Sequence, residues 1–151
     1  MLQEPFRHEL SRHKQAQDAA WKIESLGGRV QWNPRIEVLE TLYYDKALSR
    51  ITDVRFRNPA FGDESWLVLK ELPQRFGLHV EGPQFTDASL ESLKQVGMLK
   101  YLVLKNTAVT DRGIAELQDA LSHVTVMRGY PGEPGYHCTA ARIPETLLPR
   151  R

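Results

Sequence analysis

The sequence predicts a single α/β domain in which short strand–turn–helix units stack side by side. Three observations favour this fold class. Aspartates recur 24 residues apart, at Asp63, Asp87 and Asp111. Before each aspartate the apolar residues have a period of two, which is typical of a strand, and after it they recur every three or four residues, which is typical of a helix. A helical segment ending at Gly27-Gly28 precedes the repeated units.

The units align without gaps, and matching positions hold apolar side chains. One unit has too few of these to offset the entropy lost on ordering its 24 residues. We therefore expect the units to stack, with their strands parallel in one sheet. The strand positions are Val54 and Phe56, Leu78 and Val80, and Leu102 and Leu104; the helix positions are Trp66, Leu69 and Leu72, then Leu90, Leu93 and Val96, then Ile114, Leu117 and Ala120.

The helices of the units are predicted to begin at the aspartates. In Thr110-Asp111, and again in Thr86-Asp87, a short oxygen-bearing side chain can accept a hydrogen bond from a free backbone N–H, and the acidic group suits the positive end of the helix. The alternative, a column of calcium sites, needs more carboxylates and glycines than these units carry. Helix capping is therefore the preferred interpretation of the aspartates.

The segments on either side of the repeats define the domain organisation. Residues 1–53 are assigned to an N-terminal helical cap and first strand, residues 54–128 to the 24-residue repeats and residues 129–151 to an irregular C-terminal tail. Residues 5–26 suit a helix that Gly27-Gly28 ends in a left-handed conformation. The tail is rich in proline and glycine, and two outcomes stay open: it packs over the last unit, or it is disordered until a partner captures it.

These residues resemble a known family. The segment "LKYLVLKNTAVTDRGIAELQDAL", residues 99–121, is similar to the LxxLxLxxTxVTDxGLxxL unit of leucine-rich repeat proteins of the ribonuclease-inhibitor-like or cysteine-containing type. The segment "AAWKIESLGGRVQW", residues 19–32, is similar to the helix-GlyGly-strand N-terminal cap of short bacterial members. The resemblance implies a right-handed β/α superhelix, with the parallel sheet on the concave side and the helices on the convex side. Pro59 and Pro83 depart from it, because they replace the polar residue found at Thr107.

Composition and motifs narrow the function classes. With 41% hydrophobic and 26% charged residues and a formal net charge of +1, the chain has no global attraction to nucleic acid or membranes. Cys138 is the only cysteine, so an intrachain disulfide is excluded and a cytoplasmic location is favoured. Nucleotide, zinc-protease and serine-hydrolase motifs do not occur. We therefore expect no cofactor, no metal and no catalytic residues.

The function implied by the resemblance is binding of a protein or peptide on the concave sheet. Tyr101 is the predicted anchor, with Arg55 and Arg57 as further candidates, since Tyr and Arg are enriched at binding hot spots. His79 and His123 are predicted to be surface or edge residues rather than metal ligands. The oligomeric state stays open. The full predicted face consists of the alternate strand positions Arg55, Arg57, His79, Glu81, Tyr101, Val103 and Lys105.

Two alternatives belong to other function classes. His137-Cys138 could serve as a base and a nucleophile, although adjacent residues rarely point at one another. The N-terminal helix could bind an anionic surface, nucleic acid or lipid, because one of its faces is basic. Acidic residues such as Glu9 and Asp18 dilute that charge, so a solvated face is the preferred interpretation. The basic face consists of Arg7, His8, Arg12, His13, Lys14 and Lys22.

Overall fold

The protein is an α/β structure with one sheet and four described helices. The computed structural model describes residues 4–34, 49–57 and 63–129, together with Pro134 and residues 137–138. The elements in chain order are α1 (Glu4–Ser25), β1 (Gly28–Pro34), β2 (Ser49–Arg57), α2 (Asp63–Lys70), β3 (Phe76–Glu81), α3 (Asp87–Leu93), β4 (Leu99–Lys105), α4 (Asp111–Ala120), β5 (Thr125–Arg128) and β6 (His137–Cys138).

The six strands lie in the sheet in chain order. Strands β2 to β5 are parallel, whereas β1 is antiparallel to β2 and β6 is antiparallel to β5. The register aligns Val54 with Leu78, Leu78 with Leu102, and Leu102 with Val126. The predicted parallel pairing of the repeated strands, with their apolar positions in register, is confirmed.

The four helices lie next to one another and cover one face of the sheet. Helix α1 contacts β1, β2 and α2, α2 contacts α3, and α3 contacts α4. Val54, Leu78 and Leu102 are fully buried beneath them in a single apolar core. One predicted core position is wrong: Ala120 is exposed, and Leu121 is buried in its place. Leu121 follows Leu117 by four residues and Ile114 by seven, so helical spacing places it on the buried face of α4.

The helix ends follow the local sequence. Gly27 has a φ of +85°, and this left-handed conformation ends α1 as predicted. Asp63, Asp87 and Asp111 are the first residues of α2, α3 and α4. The Thr110 hydroxyl accepts a hydrogen bond from the Gly113 N–H at 3.1 Å, so Thr110 caps α4.

Some predictions concern residues outside the described ranges. They include Pro59, most of the tail at 129–151 and most of the segment between β1 and β2. The sequence predicts that this last segment contributes to the N-terminal cap. Strand β2 begins at Ser49, upstream of the predicted boundary at residue 54. Among the described residues, no helix is long and apolar enough to cross a membrane.

Candidate functional site

The sheet face turned away from the helices contains every residue of the predicted binding face. Side chains alternate along a strand, so the neighbours of the buried positions Val54, Leu78 and Leu102 point to this second face. We call it the outer sheet face. The strand register arranges β2, β3 and β4 in three rows: Asp53, Gly77 and Tyr101; Arg55, His79 and Val103; Arg57, Glu81 and Lys105.

A buried polar network centred on Asp53 joins the first row to His79 of the second row. The Tyr101 hydroxyl donates a hydrogen bond to Asp53 Oδ1, and His79 Nε2 lies 3.0 Å from the same oxygen. The rings of His79 and Tyr101 meet edge to face, with centroids 5.6 Å apart and planes at 87°. The network therefore ties three successive parallel strands together.

Gly77 makes the Tyr101 contact possible. Gly77 lies between Asp53 and Tyr101 in the row, and a Cβ atom there would overlap the Tyr101 ring. Without that Cβ, the tyrosine lies across β3 and reaches a carboxylate two strands away. The sequence contained a signal for this arrangement, because Asp53, Gly77 and Tyr101 follow one another at the 24-residue spacing of the repeat.

The electrostatics of the network favour an ionised Asp53. Burial alone would raise the pKa of this carboxyl group, but hydrogen bonds from His79 and Tyr101 outweigh burial and lower the pKa from its ordinary value of 3.8. An Asp–His pair could orient a general base in an enzyme. Here Asp53 and His79 are only 7% and 4% exposed, although His79 contributes to the lining of a shallow depression on this face. The geometry fits a structural role.

Burial corrects the predicted accessibility of part of the face. Tyr101 is 3% exposed and Val103 is 1% exposed, so neither is offered to solvent. The prediction that His79 is a surface or edge residue is wrong, because it is buried beside Asp53. His123 is exposed, as predicted. Strand alternation tells which face a side chain is on, but it does not tell whether that face is covered.

The third row and Arg55 form the accessible part of the predicted site. Arg55 and Arg57 are exposed, and Glu81 and Lys105 are half-buried. Arg57 Nε lies 3.2 Å from Glu81 Oε2, and Arg55 Nη2 donates to Gln31 Oε1 at 3.4 Å. All four side chains line one shallow depression at the carboxyl ends of β2, β3 and β4. Among the described residues, the charged side chains that line this depression are three cations and one carboxylate.

The other predicted candidates lie elsewhere. His137 and Cys138 form β6 beside β5, and their side chains are outside the described part of the structure. Arg7, Arg12 and Lys14 are exposed on α1. Lys22 does not belong to a free basic face, because its Nζ lies 2.7 Å from Oε2 of Glu71, the residue that follows α2.

Neither metal-binding groups in the described residues nor comparisons with known proteins identify a function for this chain. Within the described ranges, no three His, Cys, Asp or Glu side chains are grouped to hold a metal ion. Comparison of the chain with known protein families, with curated proteins and with solved structures finds no match.

Proposed function

We propose that this chain is a non-enzymatic, cytoplasmic leucine-rich repeat module that binds a protein or peptide segment on its outer sheet face. The 24-residue period, the parallel strands in register and the helices on the opposite face support the leucine-rich repeat assignment. Under this proposal the outer sheet face is the concave side of a right-handed β/α superhelix.

The observation that carries the proposal is the pair of exposed arginines Arg55 and Arg57, with the half-buried Lys105 beside them. These side chains come from β2 and β4, yet the sheet register brings them to one depression. Arginine side chains can bind carboxylates in a bidentate manner and are enriched at binding hot spots. We therefore place the contact surface at the carboxyl ends of the strands. Tyr101, the predicted anchor, supports that surface from within the sheet.

The occupant that fits this surface is an extended acidic segment of another protein. The two exposed arginines are cationic, and the half-buried Glu81 already pairs with Arg57, which orients that guanidinium group. A cationic segment would meet the like charges of the exposed Arg55 and Arg57, which disfavours it. Binding should therefore weaken as the salt concentration rises.

The test compares two double variants with the same change in net charge. Arg55→Glu/Arg57→Glu should abolish capture of the partner from cell extract, whereas Arg7→Glu/Arg12→Glu, on the exposed surface of α1, should leave it unchanged. The captured protein is then purified, and its affinity for each variant is measured by calorimetry. We expect a loss of at least about tenfold for the first variant, because each arginine contact of this kind contributes more than about 1 kcal/mol.

Thermal melts of both variants provide the stability control. Arg57→Glu places two carboxylates opposite each other, so we expect the outer-face variant to lose about 1 kcal/mol of stability or less, whereas the α1 variant should change stability by about 0.5 kcal/mol or less. Binding that survives Arg55→Glu/Arg57→Glu would contradict the outer sheet face as the site. Binding lost only in Arg7→Glu/Arg12→Glu would instead favour the anionic-surface alternative on α1.

A further inference from the structure

A second group of buried apolar side chains lies on the outer sheet face, on β4 and β5. Val103 pairs with Met127 in the register, and Tyr101 lies in the neighbouring row of β4. Met127 is 0% exposed, as inaccessible as the deepest core residues, and Val103 and Tyr101 are also buried. None of the three belongs to the apolar core beneath the helices. The helices lie on the opposite side of the sheet, so another part of the chain covers β4 and β5 here.

Exposure along the outer sheet face indicates where this cover lies. In the second row, Arg55 on β2 is exposed and His79 on β3 is buried, as are the side chains of that row on β4 and β5. The third row, at the carboxyl ends of the strands, is more open, since Arg57 is exposed and Lys105 is half-buried. The cover therefore lies over the first and second rows, on the side of the sheet where β5 and β6 are.

The last described residues of the chain lie at this position. Strand β6 is antiparallel to β5, and Cys138 pairs with Met127. The chain therefore leaves Cys138 level with the second row and in the direction of the first row. Thirteen residues follow Cys138. In extended form they reach about 40 Å, whereas neighbouring strands are only about 4.8 Å apart, so they are long enough to cross β5 and β4.

Two other segments start from less suitable positions. The segment 130–136 leaves and rejoins the sheet beside Arg128, near the more open third row. The segment 35–48 connects Pro34 with Ser49, which pair at the opposite edge of the sheet. The register thus favours residues 139–151 as the part of the chain that covers β4 and β5.

The composition of residues 139–151, "TAARIPETLLPRR", suits an apolar surface. Ile143, Leu147 and Leu148 can remove apolar area from water when they pack on it. Pro144 and Pro149 have no backbone N–H, which reduces the number of donors that would lack a partner when the segment lies on side chains instead of pairing as a strand.

We propose that residues 139–151 fold back over the outer sheet face and pack their apolar side chains against Val103 and Met127. The segment is then an intramolecular occupant of the β4 and β5 part of this face. It limits the surface open to another molecule to the side where Arg55 and Arg57 are exposed. The proposal does not depend on the identity of any partner.

Methyl NMR of the full-length chain, labelled with ¹³C at the Met, Ile and Leu methyl groups, tests the proposal. We expect nuclear Overhauser effects between the Met127 methyl group and methyl groups of residues 139–151. A soluble gadolinium chelate should broaden the methyl resonance of Met98, which is 45% exposed, and leave that of Met127 sharp.

A pair of double variants in the full-length chain provides the second measurement. Leu147→Asp/Leu148→Asp should remove these Overhauser effects and make Met127 as sensitive to the chelate as Met98, because a carboxylate is costly on an apolar surface. Leu10→Asp/Leu67→Asp is the matched control, since both leucines are exposed on α1 and α2. It should leave Met127 protected.

The proposal is overturned if the Met127 methyl group shows Overhauser effects to residues 35–48 or 130–136 and none to residues 139–151. Continued protection of Met127 in Leu147→Asp/Leu148→Asp, or equal loss of protection in the control, also overturns it. The Overhauser effects in the unmodified chain decide the proposal even if the tail variant does not fold. Capture of a partner through Arg55 and Arg57 is measured separately, so the proposed function can fail while this proposal stands.

Discussion

Gly77 and Tyr101 show how a single missing side chain organises the outer sheet face. The Tyr101 ring occupies the space over Gly77, and its hydroxyl donates a hydrogen bond to Asp53. The buried carboxylate needs this donor, because an ionised group in the protein interior is costly unless hydrogen bonds satisfy it. Two residues without charge therefore make one buried charge tolerable.

We predict that Gly77→Ala destabilises the protein by about 1–3 kcal/mol, because the new methyl group displaces the Tyr101 ring and breaks its hydrogen bond. Gly97→Ala is the matched control, since a Cβ atom there meets nothing within 4 Å. It should be neutral or slightly stabilising. Urea unfolding followed by circular dichroism measures both. Equal stability of the two variants would contradict the packing of Tyr101 over Gly77.

Asp53 should make stability depend on pH in the acidic range. Its pKa is lowered in the folded state from 3.8, so the ionised form stabilises the fold at pH values above 3.8. That contribution is lost as the pH falls below 3.8 and through the folded-state pKa. We predict that Asp53→Asn destabilises the protein by about 1–3 kcal/mol at neutral pH and that the difference shrinks below pH 3.8.

Urea unfolding at several pH values checks this prediction. Asp119→Asn, on the exposed side of α4, serves as the control and should leave the profile nearly unchanged. Some acid sensitivity should persist in Asp53→Asn, because hydrogen bonds from the Thr110 hydroxyl and backbone also lower the pKa of Asp87. A difference between Asp53→Asn and the unmodified chain that stays constant with pH would contradict the prediction.

At the scale of elements, Asp87 and Asp111 link α3 and α4 to the unit that follows each of them. Asp87, in the first turn of α3, accepts hydrogen bonds from the Thr110 N–H at 2.8 Å and the Thr110 hydroxyl at 2.6 Å. Asp111, in the first turn of α4, accepts one from Arg128 at 2.9 Å. The sequence predicted helix capping for this column. The helices do begin there, but the hydrogen bonds of Asp87 and Asp111 run forward to the following unit.

The Thr110 hydroxyl both caps α4 and links it to α3. It donates a hydrogen bond to the Asp87 carboxylate and accepts one from the Gly113 N–H. We predict that Thr110→Val costs about 1 kcal/mol, as is usual for a lost helix cap, and that Thr110→Ser restores most of it. Asp87→Ala should also destabilise, and its effect should be smaller in the Thr110→Val background. A double-mutant cycle by urea unfolding measures the coupling. Strictly additive effects would contradict the link between the helices.

At the scale of the whole molecule, the parallel strands are bounded by antiparallel ones. Strand β1 pairs with the edge of β2 that does not pair with β3, and the two-residue strand β6 pairs with the edge of β5 that does not pair with β4. These pairings satisfy backbone groups that a bare parallel edge would expose. The antiparallel direction of β1 and the existence of β6 were not predicted, because pairing at a sheet edge depends on chain segments outside the repeated pattern.

The sequence predicted some features of the accessible part of the candidate site and missed others. The sequence placed Arg55, Arg57 and Lys105 on one face, because alternation along a strand and the repeat spacing are local properties. It did not reveal that Tyr101 bonds Asp53 or that Arg128 pairs with Asp111. These contacts join residues from different units. A periodic pattern does not tell which residue of another strand a side chain reaches.

The sequence by itself determined the α/β class, the parallel register of the repeated strands and the apolar positions that fill the core. Each of these follows from short-range spacing, which sets the direction of every side chain relative to its own strand or helix. Only the tertiary structure decided which outer-face residues reach solvent and which carboxylates are paired. Burial and pairing depend on neighbours 23 to 48 residues away in the chain, as with Asp87 and Thr110 or Asp53 and Tyr101.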